Sequence, residues 1–307
     1  MESYVSLLIG VACAAIGGEF FVQGAVGLAR WARVSPGIIA VTVAAFATSS
    51  PELSVSVSAA LAGTPEIALG DALGSNVVNV ALILGSALAI AAIRSPRDAL
   101  RRDFPVALAV PLATVVLAAD GVVSRLDGLG LFLGFLVWLG AAVSEARRQR
   151  RAATMDAANG GGHHRWTLVS AAAGLALLIV AGTLIVGGAR GIAQSYGLDE
   201  FVIGATIVAV GTSVPELATT IMAKLRGHDE VGLGTILGSN LFNGLFIVSV
   251  AAMIHPIPVE TNDVFVALAF GIVAVALTLP VKDGRIGRQR GLLLLLLYAG
   301  YLATVLA

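Results

Sequence analysis

A short polar string that could bind a cation occurs twice in this chain. The string Thr-Ser-x-Pro-Glu ends at Glu52 and again, 164 positions later, at Glu216. Each copy combines one carboxylate with two hydroxyl groups, and the hydroxyl residues are Thr48, Ser49, Thr212 and Ser213. Proteins bind hard cations such as Ca²⁺ and Na⁺ through oxygen ligands of this kind. The pair predicts a cation site with two negative charges.

A second string follows each glutamate and adds amide oxygens. It reads Gly-Ser-Asn-x-x-Asn and supplies Ser75 and Asn79 in the first copy, Ser239 and Asn243 in the second. Residues four apart share one face of a helix, so each serine points the same way as its asparagine. We therefore expect these four side chains to line the same site as the glutamates.

The two copies belong to a longer internal repeat. Residues 48–79 match residues 212–243 without a gap, and 16 of the 32 aligned pairs are identical. Two unrelated apolar helices would match mainly through Leu, Val and Ala, whereas here the glycines and polar residues match. Self-similarity of this kind indicates a duplicated structural unit.

The surroundings of the repeat are typical of a membrane protein. Hydrophobic residues make up 57% of the 307 residues, charged residues 12%, and the mean hydropathy is +0.92. A helix needs about 20 apolar residues to cross a bilayer. Ten stretches qualify and predict an all-α membrane protein: 4–29, 36–61, 67–92, 104–120, 127–146, 166–189, 200–223, 231–254, 263–280 and 291–306.

A polar linker divides these helices into two groups of five. We predict a first repeat at 1–147, a cytoplasmic linker at 148–165 that contains His163 and His164, and a second repeat at 166–307. Five is an odd number, so the second repeat enters the membrane inverted. With the N-terminus outside, 17 of the 19 Lys and Arg residues fall in cytoplasmic loops, as the positive-inside rule requires.

The prolines give the site a physical basis. Pro51 and Pro215 each remove a backbone donor within a membrane helix, and we expect them to displace the carbonyls of Ala47 and Gly211. Unpaired carbonyls are costly in hydrocarbon, and a bound cation would satisfy them. Interrupted helices in inverted repeats are typical of secondary transporters.

At these motifs the chain resembles the cation/Ca²⁺ exchanger superfamily, within it the prokaryotic Na⁺/Ca²⁺ exchanger-like branch, over essentially its whole length. The resemblance implies that Glu52 and Glu216 are the central Ca²⁺ ligands and that the protein resides in a prokaryotic cell membrane. The supporting ligands that it implies are Thr48 and Thr212 near Ca²⁺ and, around Na⁺, Ser49, Ser75, Ser213, Ser239 and the carbonyls of Ala45 and Ala209.

One departure from the family leaves the coupling ion open. Many exchangers of this family carry an aspartate at one of the two positions that Asn79 and Asn243 occupy. Ca²⁺/Na⁺ antiport is the main hypothesis, and H⁺-coupled Ca²⁺ antiport and a passive cation channel are the alternatives. No grouping of nucleophile, base and orienting residue indicates an enzyme. The expected partners are the transported ions and the lipid bilayer, with no resident cofactor and no nucleic acid.

Four further acidic residues have weaker assignments. Glu19 lies in the first apolar stretch and is a candidate for the ion path. Glu66 and Glu230 match across the repeat but fall at predicted helix starts, where a carboxylate favours the helix dipole. Asp71 aligns with Thr235 and is either a residue of the cation path or an interfacial residue.

Overall fold

The computed structural model describes residues 2–97, 99–156, 164–195, 209–259, 261–280 and 283–305. The linker predicted at 148–165 is therefore described only at its two ends, and His163 lies outside the described residues. The helix predicted at 200–223 is described from Ala209 onward. Within these ranges the chain is helical apart from turns and four two-residue strands.

The first half begins with one long helix and continues through shorter, interrupted ones. Its α-helices are α1 (Glu2–Ala32), α2 (Pro36–Ile39), α3 (Ala45–Thr48), α4 (Ser50–Leu61), α5 (Pro65–Val77), α6 (Gly85–Ile90), α7 (Phe104–Leu117) and α8 (Arg125–Asp156). Three π-helical segments join or precede some of them: π1 (Ala40–Ala44), π2 (Val78–Leu84) and π3 (Ala99–Asp103). The strands are β1 (Ile93–Arg94) and β2 (Val122–Val123).

The second half follows a similar order. Its α-helices are α9 (His164–Ser195), α10 (Ala209–Thr212), α11 (Val214–Leu225), α12 (Asp229–Leu241), α13 (Val248–Ile254), α14 (Thr261–Thr278) and α15 (Arg288–Val305). A segment π4 (Phe242–Ile247) joins α12 to α13, and the strands are β3 (Ile257–Pro258) and β4 (Arg285–Ile286).

Several helices match a bilayer in length and composition. In the described part of the chain, five spans pass this test: Glu2–Ala32, Pro65–Ile90, Arg125–Ala152, Trp166–Ala189 and Asp229–Ile254. A sixth is counted if Pro36–Thr48 and Ser50–Leu61, which are bent by 46° at their junction, form one span. Val264–Thr278 is a shorter apolar helix in the described part of the chain.

The loops are tied together at two places by short antiparallel strands. β1 pairs with β4, and β2 pairs with β3. Near β1, Lys224 Nζ donates to the carbonyl of Ala92 and forms a 2.8 Å ion pair with Asp229, which also accepts the Arg94 N–H. The loops that carry these basic residues are therefore neighbours in space.

Helices α1 and α9 pack closely through glycines. A Cβ atom on Gly24 would lie 2.6 Å from the backbone of Ala171, and one on Gly188 would lie 2.6 Å from the Ser3 carbonyl oxygen. Gly10 and Gly174 also lie in this contact and are 164 residues apart, as are Gly24 and Gly188. The repeat therefore extends to the first helix of each half, because both copies need small residues where the helices approach.

The α1–α9 pair lies beside the main core rather than within it. The largest cluster of buried apolar residues joins the helices from α5 to α8 with those from α11 to α15. Buried residues of α1 belong instead to two small clusters, one of which includes Leu178 of α9. The core thus holds the interrupted helices, and the long pair covers one side of them.

A Gly174→Ala substitution tests this packing. The added methyl group collides with the backbone nitrogen of Phe21, and we expect the unfolding free energy to fall by about 1–3 kcal/mol. The measurement is the thermal unfolding temperature of the detergent-purified protein. Gly187→Ala is the control, because Gly187 is exposed and a Cβ there meets no described atom within 4 Å. Equal unfolding temperatures for the two variants would contradict the packing.

Candidate functional site

The two glutamates follow helix breaks of the same geometry. Ser49 separates α3 from α4 with φ −85° and ψ 11°, and Ser213 separates α10 from α11 with φ −87° and ψ 10°. The proline is the second residue of the following helix in both cases, where its missing N–H costs nothing. Glu52 and Glu216 therefore lie in the first turn of a helix, where unpaired N–H groups favour an anion.

The second motif leads into a π-helical segment in both halves. Asn79 lies in π2, which begins at Val78, and Asn243 lies in π4, which begins 164 residues later at Phe242. Short π-helical segments within α-helices occur often at functional sites. Ser75 and Ser239 precede the asparagines by one turn, and all four side chains are buried.

Serines from both halves hold the Glu216 carboxylate. Ser49 Oγ donates to Glu216 Oε1 at 3.3 Å, and Ser239 Oγ donates to the same oxygen at 3.2 Å. Thr48 Oγ1 lies 3.5 Å from Ser239 Oγ. The structure thus brings together residues of both repeats around one carboxylate.

Glu52 lacks the matching support. By the 164-residue offset, Ser213 and Ser75 take the places at Glu52 that Ser49 and Ser239 take at Glu216. Ser213 Oγ, however, has no hydrogen-bond partner in the described structure. Glu52 is 1% exposed, and its Oε2 atom is also buried without a partner among the described residues. The two glutamates therefore have equivalent positions but different environments.

Two asparagines join the halves by a reciprocal contact. Asn76 Nδ2 donates to the carbonyl of Asn240 at 3.3 Å, and Asn240 Nδ2 donates to the carbonyl of Asn76 at 3.1 Å. Asn79 Nδ2 also donates to Asn240 Oδ1 at 3.1 Å. Residues that are 164 apart exchange equivalent bonds, so a local two-fold relation passes between α5 and α12. The repeated Gly-Ser-Asn string signalled these residues, but their role in joining the halves required the structure.

Several buried oxygens of the two motifs, including oxygens of both glutamates, have no hydrogen-bond partner in the described structure. In the described part of the chain these include Glu52 Oε2, Glu216 Oε2, Ser213 Oγ, Asn79 Oδ1 and Asn243 Oδ1. Both glutamates are 1% exposed, and no described Lys or Arg forms an ion pair with either. Burying ionised carboxylates without a counter-charge is very costly. A cation bound between them would supply both the charge and the missing partners.

The remaining predicted ligands also lie at the breaks. The Ala45 carbonyl, at the start of α3, accepts the Ser49 N–H at 3.0 Å and the Thr48 hydroxyl at 3.3 Å. Ala209 and Thr212 are the first and last residues of α10.

The other acidic residues have different surroundings. Glu66 and Glu230 lie in the first turns of α5 and α12, as predicted. Glu19 forms a 2.7 Å ion pair with Arg226 and accepts a hydrogen bond from Gln23. An ion pair with an arginine distinguishes Glu19 from Glu52 and Glu216.

Comparisons with known proteins point to one family over nearly the whole chain. The profile of the sodium/calcium exchanger protein family matches residues 2–143 and 166–307. CaxA of Alkalimonas amylolytica is 34% identical over 97% of this chain and 96% of its own. The sodium/calcium exchanger MaX1 of Methanosarcina acetivorans is 29% identical over 99% and 98%. A structure of the sodium-calcium exchanger NCX_Mj soaked with Na⁺ and Sr²⁺ is 30% identical, covers 98% of both chains and has a TM-score of 0.85.

An Asn240→Ala substitution tests the contact between the halves. It removes the donor to Asn76 and leaves Asn79 Nδ2 buried without its acceptor, so we expect a loss of about 1–3 kcal/mol in unfolding free energy. Thermal unfolding in detergent measures it. Ser249→Ala is the control, because the buried Ser249 hydroxyl donates only locally, to the carbonyl of Phe246 three residues earlier. An unchanged unfolding temperature for Asn240→Ala would contradict the proposed link.

Proposed function

The chain belongs to the sodium/calcium exchanger family, and from this premise we propose that it exchanges Ca²⁺ for Na⁺ across a membrane through Glu52 and Glu216. This is a family of membrane transporters and not of enzymes. The observation that carries the proposal is the pair of 1% exposed glutamates whose Oε2 atoms have no partner among the described residues. Ions that are the cargo of the protein, rather than a resident cofactor, would occupy this site.

The charge of the site supports antiport. Two carboxylates are neutralised by one Ca²⁺ or by two Na⁺ ions, so the ions compete for the same oxygens. Hydroxyls from Ser49 and Ser239 already orient Glu216, which reduces the reorganisation needed to bind an ion. Because Asn79 and Asn243 are both neutral, protonation of the glutamates is the alternative route to charge balance. An H⁺-coupled Ca²⁺ antiporter is therefore the second candidate.

We further propose a ten-helix architecture of two inverted five-helix repeats. The equal breaks at Ser49 and Ser213 and the reciprocal bonds of Asn76 and Asn240 support a two-fold relation between the halves. Transporters of this type alternate access by moving one part against another around a fixed site. A passive channel needs no such pairing of inverted halves, which makes it the weaker alternative.

The packing of α1 and α9 supports an asymmetric, one-sided state. Both helices pack against α11, and Gly18 approaches the Ala218 carbonyl, whereas contacts of either helix with α4 are slight. A cavity of about 360 Å³ adjoins both breaks, with Pro51, Pro215, Gly182 and Thr183 among its lining residues. We propose this cavity as the route to the glutamates from the end of the molecule where α4 terminates. Exchanging the contacts with α11 for contacts with α4 would close that route.

The orientation in the membrane follows from the basic residues. The loops that hold most of the Lys and Arg residues, including those at β1 and β4, would face the cytoplasm of a prokaryotic cell. The N-terminus and the turn at Gly63 would then lie outside. In this orientation, the proposed route opens to the exterior.

Uptake of ⁴⁵Ca²⁺ into proteoliposomes tests the function. We expect uptake into vesicles loaded with Na⁺ and placed in Na⁺-free medium, and none into vesicles loaded with K⁺. Uptake driven by a pH gradient alone would replace Na⁺ with H⁺ as the coupling ion. Uptake that no ion gradient changes would refute an exchanger and favour a channel.

Substitution of the two glutamates tests the site. Glu52→Gln and Glu216→Gln each remove one of the two charges at almost constant volume, and we expect each to lower the Ca²⁺ uptake rate at least about tenfold. The control is Glu66→Gln, because Glu66 is exposed at the start of α5 and its loss should leave most of the activity. Full activity in either site variant would refute the proposed ligands.

A further inference from the structure

Asp71 extends the polar face of α5 away from the central site. It lies four residues before Ser75 and eight before Asn79, so the three side chains fall along one face of the helix. Asp71 is also nearer than Ser75 to the turn at Gly63, where α4 ends and α5 begins. The aligned face of α12 carries Thr235 instead of an aspartate. The carboxylate is therefore a feature of the first half alone.

Nothing in the described structure compensates the charge of Asp71. Its Oδ2 atom is buried and has no hydrogen-bond partner among the described residues. Glu52 lies on α4, which packs against α5 after the turn at Gly63. Glu52 is itself 1% exposed with an unpartnered Oε2 atom. Two carboxylates without a counter-charge are stabilised when a cation lies near both.

Asp71 does not simply add a third ligand to the central ion. Among the described residues, no group of three His, Cys, Asp or Glu side chains is placed to hold one metal ion. Asp71 and Ser75 are one helical turn apart, which is about 5–6 Å along the axis. An ion held by Asp71 would therefore occupy a position next to the central one, toward the turn at Gly63.

We propose that Asp71 and Glu52 form a second cation position, one helical turn from the central site, which a divalent cation occupies on its way to Glu52 and Glu216. The proposal rests on the exchange function proposed above. Only the first half carries an aspartate at this position, so cations that arrive past the Gly63 turn would meet the Asp71 carboxylate before they reach Glu52 and Glu216. On the other side of the site, the corresponding position carries the neutral hydroxyl of Thr235, which is buried.

The test removes the charge of Asp71 while keeping the shape of its side chain. The full-length protein in proteoliposomes is assayed for ⁴⁵Ca²⁺ uptake over a range of external Ca²⁺ concentrations, in the wild type and in Asp71→Asn. A unit charge within 10 Å of a divalent ion contributes enough to raise the half-saturating Ca²⁺ concentration about tenfold when it is lost. We expect that rise, with a maximal rate within about twofold of the wild type because Glu52 and Glu216 remain.

Three further variants separate a charge effect from a structural one. Asp71→Glu retains the carboxylate and should restore a half-saturating concentration near that of the wild type. Asp71→Thr introduces the residue found at position 235 and should behave like Asp71→Asn, which provides a second neutral variant if the amide impairs folding. Glu66→Gln, five residues earlier on α5, removes an exposed charge and should change neither parameter.

Two results would overturn the second position. One is an unchanged half-saturating concentration in both neutral variants, and the other is a lower maximal rate at an unchanged half-saturating concentration, which would indicate a structural role. In either case, Ca²⁺ exchange by the wild-type protein would still support the proposed central site at Glu52 and Glu216. A wild-type protein that neither binds nor transports Ca²⁺ would instead refute the proposed function and, with it, this position.

Discussion

The structure depends on the burial of two carboxylates that have no counter-charge of their own. Glu52 and Glu216 are each 1% exposed, and no described lysine or arginine pairs with them. Placing ionised carboxylates in a low-dielectric interior costs several kcal/mol for each charge, even after the protein relaxes. A protein can tolerate this arrangement when an ion repeatedly enters and neutralises it. Under the proposed function, the same electrostatic demand would make the site selective for cations and would make different cations compete.

The surrounding architecture positions these charges without neutralising them. A break before each glutamate places the carboxylate at the amino end of a helix, and a π-helical segment in each half contains a buried asparagine. Serines hold Glu216 from both halves, and the Asn76–Asn240 exchange fixes the halves to each other. The glycine-packed pair α1 and α9 lies outside this core. Under the proposed function, a bonded centre with a separate covering pair would allow access to change without dismantling the site.

Much of the candidate site was predictable because its residues are encoded twice. The match at an offset of 164 residues separated Glu52 and Glu216 from Glu19 and Asp71, and their place within an apolar stretch rather than at a predicted helix start separated them from Glu66 and Glu230. The prolines located the breaks to within two residues of Ser49 and Ser213. The presence of helices could be predicted from the lengths of the apolar stretches. The π-helical segments could not, because one extra residue in a helical turn leaves no periodic signal in the sequence. The ten-helix count stays a prediction, because 196–208 lie outside the described residues. The unequal support of the two glutamates was also unpredictable, since it reflects a conformation rather than a motif.

The most direct test of the central claim is calorimetric titration of Ca²⁺ into the detergent-purified protein in Na⁺-free buffer, repeated with increasing Na⁺. If Glu52 and Glu216 form one site that both ions share, the protein binds Ca²⁺, the apparent affinity falls as Na⁺ rises, and the double variant Glu52→Gln/Glu216→Gln shows no binding heat. Ca²⁺ binding that survives in the double variant, or that Na⁺ leaves unchanged, would contradict the account.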